Sequence, residues 1–253
     1  MRRILILGGT SEARQLAGRL AGRPGLAVTL SLAGRTADPL AQPVAVRVGG
    51  FGGADGLAAY LQAERIDCLI DATHPYAAGI SANAAAAAAA TGVPLLALRR
   101  PPWTQIPGDR WFEVADAEAA VAALGASPRR VFVALGRQEI AAFAAAPQHH
   151  YLVRSVDPVD PPLPVPHADY VRGRGPFSEE DDRALLIRHG IERLVAKNSG
   201  GSATYGKIAA ARALALPVIF LRRPPLPAVP EVVSVEAVLA AIAHAIPPAD
   251  RGV

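Results

Sequence analysis

Short apolar runs that end in glycine or polar turns alternate along this chain with longer stretches of helical spacing. The opening run, "RILIL" at 3–7, is apolar at four of five positions and stops at Gly8-Gly9. Such a run reads as a strand covered on both faces, as in a parallel sheet. "TSEARQLAGRLAG" follows, with Thr10 or Ser11 as N-cap and Gly22 as stop. The same alternation predicts strands over 27–32, 44–48, 67–71 and 94–98, and helices over 54–64 and 77–91. A strand over 111–114 and a helix over 116–124 complete the first half.

The second half repeats the plan. Residues 130–144, "RVFVALGRQEIAAFA", match the opening strand, glycine turn and helix. "LVAKNSGGSATYGKIAAARALALPVIFLRRPP" parallels "LIDATHPYAAGISANAAAAAAATGVPLLALRRPP", so that LRRPP occurs at 98–102 and again at 221–225. Residues 232–233 and 236–246 then match 112–114 and the helix after it. Alternating βα units imply mostly parallel sheets with helices on both faces. The expected fold class is α/β, with two similar Rossmann-like domains, 1–127 and 128–253, joined near 126–129 and with a cleft between them.

Composition narrows the classes. The 253 residues are 51% hydrophobic and 19% charged, a globular balance rather than a disordered one. No apolar run approaches the roughly 18 residues of a membrane span, and "MRRILILGG" reads as a first strand rather than a signal segment. Cys68 is the single cysteine, so no intramolecular disulfide forms, which suits the cytoplasm. The six histidines are scattered, and no metal site is expected. The net charge is +4, but the arginines are spread out and not interleaved with aromatics, which argues against a nucleic-acid partner.

In open parallel sheets ligands bind at the carboxyl ends of the strands. That selects four turns, at 8–14, 71–76, 136–139 and 197–207. In the first, Gly8 and Gly9 allow close backbone approach, and the helix start at Thr10, Ser11, Glu12 and Arg14 attracts a phosphate. After the second strand, "TLSLAGRT" has no acid to hold a ribose diol. Ser31, Arg35 and Thr36 suit a 2′-phosphate, so a dinucleotide here would be NADPH. In "KNSGGSATYGK", Ser199, Gly200, Gly201 and Ser202 make a nest of N–H groups, flanked by Lys197, Tyr205 and Lys207. It lacks the P-loop spacing expected for ATP. "DATHPY" sets Asp71, Thr73, His74 and Tyr76 at a strand end, and Arg137 and Arg154 occupy matching places in the second half. Arginines at one mouth suit a substrate with several carboxylates. "GGFGG" at 49–53 reads as a mobile loop.

Taken together, "ILGGTSEARQLA", "LAGRT", "GGFGG", "DATHPYAAGISANA", "LGRQEIAAF", "YLVRSVDP", "GPFSEEDDRALL" and "AKNSGGSATYGKIAAAR" resemble the precorrin-6A reductases of cobalamin biosynthesis and their relatives acting on cobalt-precorrin-6A. The resemblance runs from residue 4 to about 223. It implies NADPH-dependent reduction of one double bond in a tetrapyrrole-derived polycarboxylate macrocycle, giving precorrin-6B. It also implies no membrane partner, and it raises handover to neighbouring pathway enzymes. A metal-free and a cobalt-bearing substrate both remain open, with the metal-free one preferred.

Lys197, Tyr205 and His74 are the candidates to stabilise charge or relay a proton, with Lys197 first because it ends a strand beside the nest. The substrate's own carboxylates are an alternative proton source. Another NADP-dependent reductase or epimerase, or a non-catalytic nucleotide-binding regulator, would use the same turns.

Overall fold

A computed structural model describes residues 1–34 and 40–245. In chain order the first elements are β1 (Arg2–Leu7), α1 (Ser11–Leu20), β2 (Leu26–Leu32), β3 (Ala45–Val48), α2 (Gly53–Ala63), β4 (Cys68–Asp71), α3 (Ala78–Thr91) and β5 (Leu95–Leu98). Then come β6 (Arg110–Val114), α4 (Ala117–Leu124), β7 (Arg130–Ala134), α5 (Arg137–Ile140), a 3-10 segment (Ala141–Ala145), β8 (His150–Ser155) and β9 (Ala168–Arg172). The last are α6 (Glu179–Arg188), β10 (Arg193–Lys197), α7 (Gly206–Ala213), β11 (Pro217–Leu221), β12 (Glu231–Val232) and α8 (Val235–Ala245).

The strands form two six-stranded sheets, ordered β12-β5-β4-β1-β2-β3 and β6-β11-β10-β7-β8-β9. Every pairing is parallel. Both orders reverse direction beside the first strand of the repeat, between β1 and β4 and between β7 and β10. That reversal is the switch point of dinucleotide-binding folds.

The unit boundaries differ from the expected break at 127/128. One compact unit holds residues 1–101 and the chain from 224 onward; the other holds 102–223. Each copy of the repeat therefore gives its last strand and helix to the other copy's sheet. Strand β6 pairs with β11, Trp111 opposite Val218, and β12 pairs with β5, Val232 opposite Leu98. The two LRRPP segments mark the two crossings. Each follows a strand that ends on its leucine, and a Pro-Pro pair lacks the N–H groups to continue a ladder. The chain leaves the sheet there and enters the other unit.

Within the first unit, β1 alternates its side chains between two cores. Ile4 and Ile6 pack with Leu16 and Leu20 of α1 and Val238 and Ile242 of α8. Leu5 and Leu7 pack with Leu57 and Leu61 of α2 and Ala84 and Ala87 of α3. This is why the run reads as continuously apolar. In α8 the buried positions Val235, Val238, Leu239 and Ile242 follow helical spacing, so the sequence directs one stripe into the core. In the second unit Phe132, Leu194 and Phe220 pack under Leu186 of α6 and Ile208 of α7. The helix expected after 136 is short. It tightens to 3-10 geometry, where residues three apart eclipse, and Ile140 and Phe143 are both buried.

Candidate functional site

At the switch point of the first unit, β1 ends on Leu7 and the chain turns through Gly8 and Gly9. Gly9 has φ +116, a conformation that disfavours other residues, and a Cβ there would meet nothing within 4 Å. Thr10 caps α1. Its Oγ1 accepts from the Ala13 N–H at 3.1 Å and donates to the Ala72 carbonyl at 2.8 Å. The hydroxyl therefore fixes the turn and ties it to the end of β4. The helix cannot itself satisfy its first N–H groups, at Ser11 and Glu12, and they stand beside the exposed Gly9. Arg14 is exposed on the first turn of α1.

Thr10, Glu12, Thr73, Leu98 and Arg100 line a small recess at this switch point. Glu12 is paired with Arg100 at 2.6 Å. Asp71, which is 4% exposed, anchors Thr73 from below. Its Oδ1 accepts from the Thr73 N–H at 3.2 Å and the Thr73 hydroxyl at 2.6 Å, and its Oδ2 accepts from Ser81 at 2.6 Å. Asp71 thus shapes the β4–α3 turn rather than presenting a carboxylate outward. His74 accepts the Tyr76 N–H on Nδ1 at 3.3 Å, and the two rings lie 5.6 Å apart.

At the next strand end, Ser31 is buried and receives Nη1 of Arg47 at 3.4 Å. Arg47 sits opposite Ser31 on β3, donates to the Gly49 and Gly50 carbonyls at 2.5 and 2.7 Å, and stacks 3.7 Å from the Phe51 ring centroid. The 49–53 loop, expected to be mobile, is wrapped around this guanidinium. Arg35 and Thr36 lie outside the described residues.

The second unit places Lys197 at the end of β10. Its Nζ donates to Glu139 Oε1 at 2.5 Å across the β7–β10 switch point. Gly136 makes room for that carboxylate, since a Cβ there would lie 2.6 Å from Glu139 Oε2. Arg137, next in the turn, is exposed.

The glycine-rich turn after Lys197 is packed and largely occupied with itself. Asn198 makes a two-way bond with the backbone of Trp103, Oδ1 accepting at 2.8 Å and Nδ2 donating at 2.9 Å. Trp103 Nε1 donates to the Gly201 carbonyl at 2.7 Å. Ser199 is buried beside Thr204, at 3.3 Å between hydroxyls. Gly200 and Gly201 have positive φ, Gly200 is buried, and Ser202 is exposed. Lys207 is buried, donates to the Thr204 carbonyl at 2.6 Å and lies 5.1 Å over the Trp103 ring. The Tyr205 hydroxyl accepts from Arg212, whose Nε donates to Asp109 at 2.9 Å.

Arg154, read from sequence as facing substrate, is largely covered, its side chain 10% exposed. It pairs with Asp182 of α6, and its guanidinium lies 4.9 Å from the Phe132 ring and 4.2 Å from Phe177. In the repeat register it occupies the place of Ser31. The second unit thus has a structural cation where the first has a serine.

The structure gathers Thr10, Glu12 and Thr73 at one switch point, and at the other it pairs Lys197 with Glu139, in the turn that carries Arg137. Arg47 and Arg100 escaped the sequence reading, and Glu139 lay in the selected 136–139 turn without a role of its own. One signal was present. Gly9-x-x-Glu12 and Gly136-x-x-Glu139 recur in the two turns, and both glutamates pair with a cation at the mouth.

The chain is similar to known proteins over nearly its whole length. The precorrin-6A reductase of Sinorhizobium sp is 58% identical over 98% of this chain and 95% of its own length. A solved structure described as CobK precorrin-6A reductase superposes with a TM-score of 0.93 at 52% identity, covering all of both chains. The cobalt-precorrin-6A reductase of Priestia megaterium is more distant, at 28% identity over 87% of this chain and 90% of its own. Residues 3–243 match the family described as Precorrin-6x reductase CbiJ/CobK, and the chain belongs to that family.

Proposed function

We propose that this chain reduces one double bond of precorrin-6A to give precorrin-6B in cobalamin biosynthesis, with NADPH as reductant. The observation that carries the reading is the Gly8–Glu12 turn of the first unit. Its open space over Gly9, its capped helix start and its position at a switch point fit a pyrophosphate. The second unit offers no equal cradle, because Arg154 stands where the first unit has Ser31 and its glycine-rich turn is packed. Gly8, Gly9, Ser11 and Glu12 would hold the pyrophosphate by backbone, with Thr10 fixing the turn. Ser31, Arg47, Arg35 and Thr36 would serve the 2′-phosphate. NADPH supplies a hydride when bound.

The chain's own task is to orient the macrocycle, offset charge and deliver a proton. Lys197 is our first choice for that charge, ahead of His74 and Tyr205. Arg137 and the exposed nest edge at Ser202 are assigned to substrate carboxylates. The higher identity to a precorrin-6A reductase than to a cobalt-precorrin-6A reductase supports the metal-free substrate. No helix among the described residues is long and apolar enough to cross a membrane. We place the enzyme in the cytoplasm, on its single cysteine and its pathway.

Mixing the protein with NADPH and precorrin-6A tests this, with NADPH absorbance and the macrocycle spectrum followed together. Coupled changes in both are expected. Binding of NADPH without turnover would indicate a regulator. Oxidation of NADPH only with other substrates would indicate a different reductase or epimerase.

A further inference from the structure

We infer that Glu139 is the positioning residue for Lys197, and that Gly136 is glycine to leave that carboxylate its place. This rests on the reading of Lys197 above. Lys197 ends β10 and Glu139 lies in the first turn after β7, so the pair spans the switch point of the second unit. The Nζ–Oε1 distance is 2.5 Å, and the two side chains are 17% and 28% exposed. A lysine carries four rotatable bonds, and an ammonium without a fixed acceptor samples many positions. Glu139 is itself held by the short turn of α5, whose Ile140 is 2% exposed. The carboxylate thereby limits the ammonium to one place at the mouth.

Gly136 adds an independent geometric argument. Its φ is −75 and ψ is 160, a conformation open to any residue. Backbone strain therefore does not explain the glycine. A Cβ would instead lie 2.6 Å from Glu139 Oε2 and 3.8 Å from Lys197 Nζ. The carboxylate is the far end of a flexible side chain, so alanine would displace it without disturbing the fold.

The test is a set of four variants in the full-length enzyme: Lys197→Ala, Glu139→Gln, the double variant, and Gly136→Ala. Each is assayed for kcat and KM with NADPH and precorrin-6A and for melting temperature. We expect Glu139→Gln to lower kcat roughly tenfold or more with the NADPH KM unchanged, and to have no further effect when Lys197 is already alanine. We expect Gly136→Ala to reproduce the kcat loss with an unchanged melting temperature. Additive losses, or a Glu139→Gln enzyme with unaltered kcat beside a crippled Lys197→Ala, would overturn the inference alone. A Lys197→Ala enzyme with wild-type kcat would remove both the role of Lys197 and the inference.

Discussion

At the residue scale, buried polar groups here have assigned duties, and removing them has readable costs. Asp71 takes three hydrogen bonds in a buried turn. Asp71→Ala leaves the Thr73 and Ser81 hydroxyls without their acceptor, and a loss of about 2–4 kcal/mol in urea unfolding is expected. Arg47 bonds both the loop carbonyls of Gly49 and Gly50 and the Ser31 hydroxyl. Arg47→Ala should weaken NADPH roughly tenfold or more and NADH much less, measured as binding by calorimetry. Equal weakening of both would leave Arg47 as a loop anchor only. His149 is fully buried, and burial pushes its imidazole below the ordinary histidine value, with a hydrogen bond to the Gly125 backbone opposing. The unfolded chain then binds the proton more readily than the folded one. His149 costs no stability above its unfolded value near about 6.5, and stability falls below it by at most about 1.4 kcal/mol per pH unit. Denaturant titrations at stepped pH should show that slope flattened in His149→Phe. The sequence disclosed the glycine turns because a left-handed residue beside a helix start has few solutions. It did not disclose the pairing of Glu139 or of Arg100, because each pairs with a residue 58 or 88 positions away, and only the folded sheet brings them together.

At the element scale, strands such as β1, β4 and β10 were readable because both their faces are covered, so that apolar runs mark them, whereas β8 and β9 were not read from the sequence. The helix after Gly136 was less so: "EIAAFAAA" fits both α and 3-10 spacing, and the burial of Ile140 and Phe143 decides. What periodicity could not convey is which sheet a strand joins. Strands β6 and β12 carry the same pattern whichever unit they enter. Their partners depend on the path taken after LRRPP. Ile242 in α8 provides the check. Ile242→Ala should destabilise the first unit by about 2–4 kcal/mol, as a buried large-to-small change does. Hydrogen exchange should then quicken in β1 and β4 while β7 and β10 keep their protection. The reverse pattern would place α8 with the other sheet.

At the scale of the whole molecule, the exchange decides which fragments are complete. Residues 102–223 contain all six strands of one sheet in a single stretch. That fragment should fold alone, with a cooperative thermal transition by circular dichroism. A fragment of 1–127 lacks β12 and α8 and carries β6 and α4 without their sheet, so it should not. Comparable transitions in both would count against the unit assignment. The same path also sets an order in time. A ribosome delivers the first unit's opening strands early, yet the strand and helix that complete them arrive only after the entire second unit. At about 5–20 residues per second that interval is on the order of 10 s. During it the outer side of β5 stays without its neighbour, and the Ile4–Ile6 face of β1 lacks the α8 stripe. The part of this protein made first is therefore finished last, and a chaperone acting on it during synthesis would find its work there.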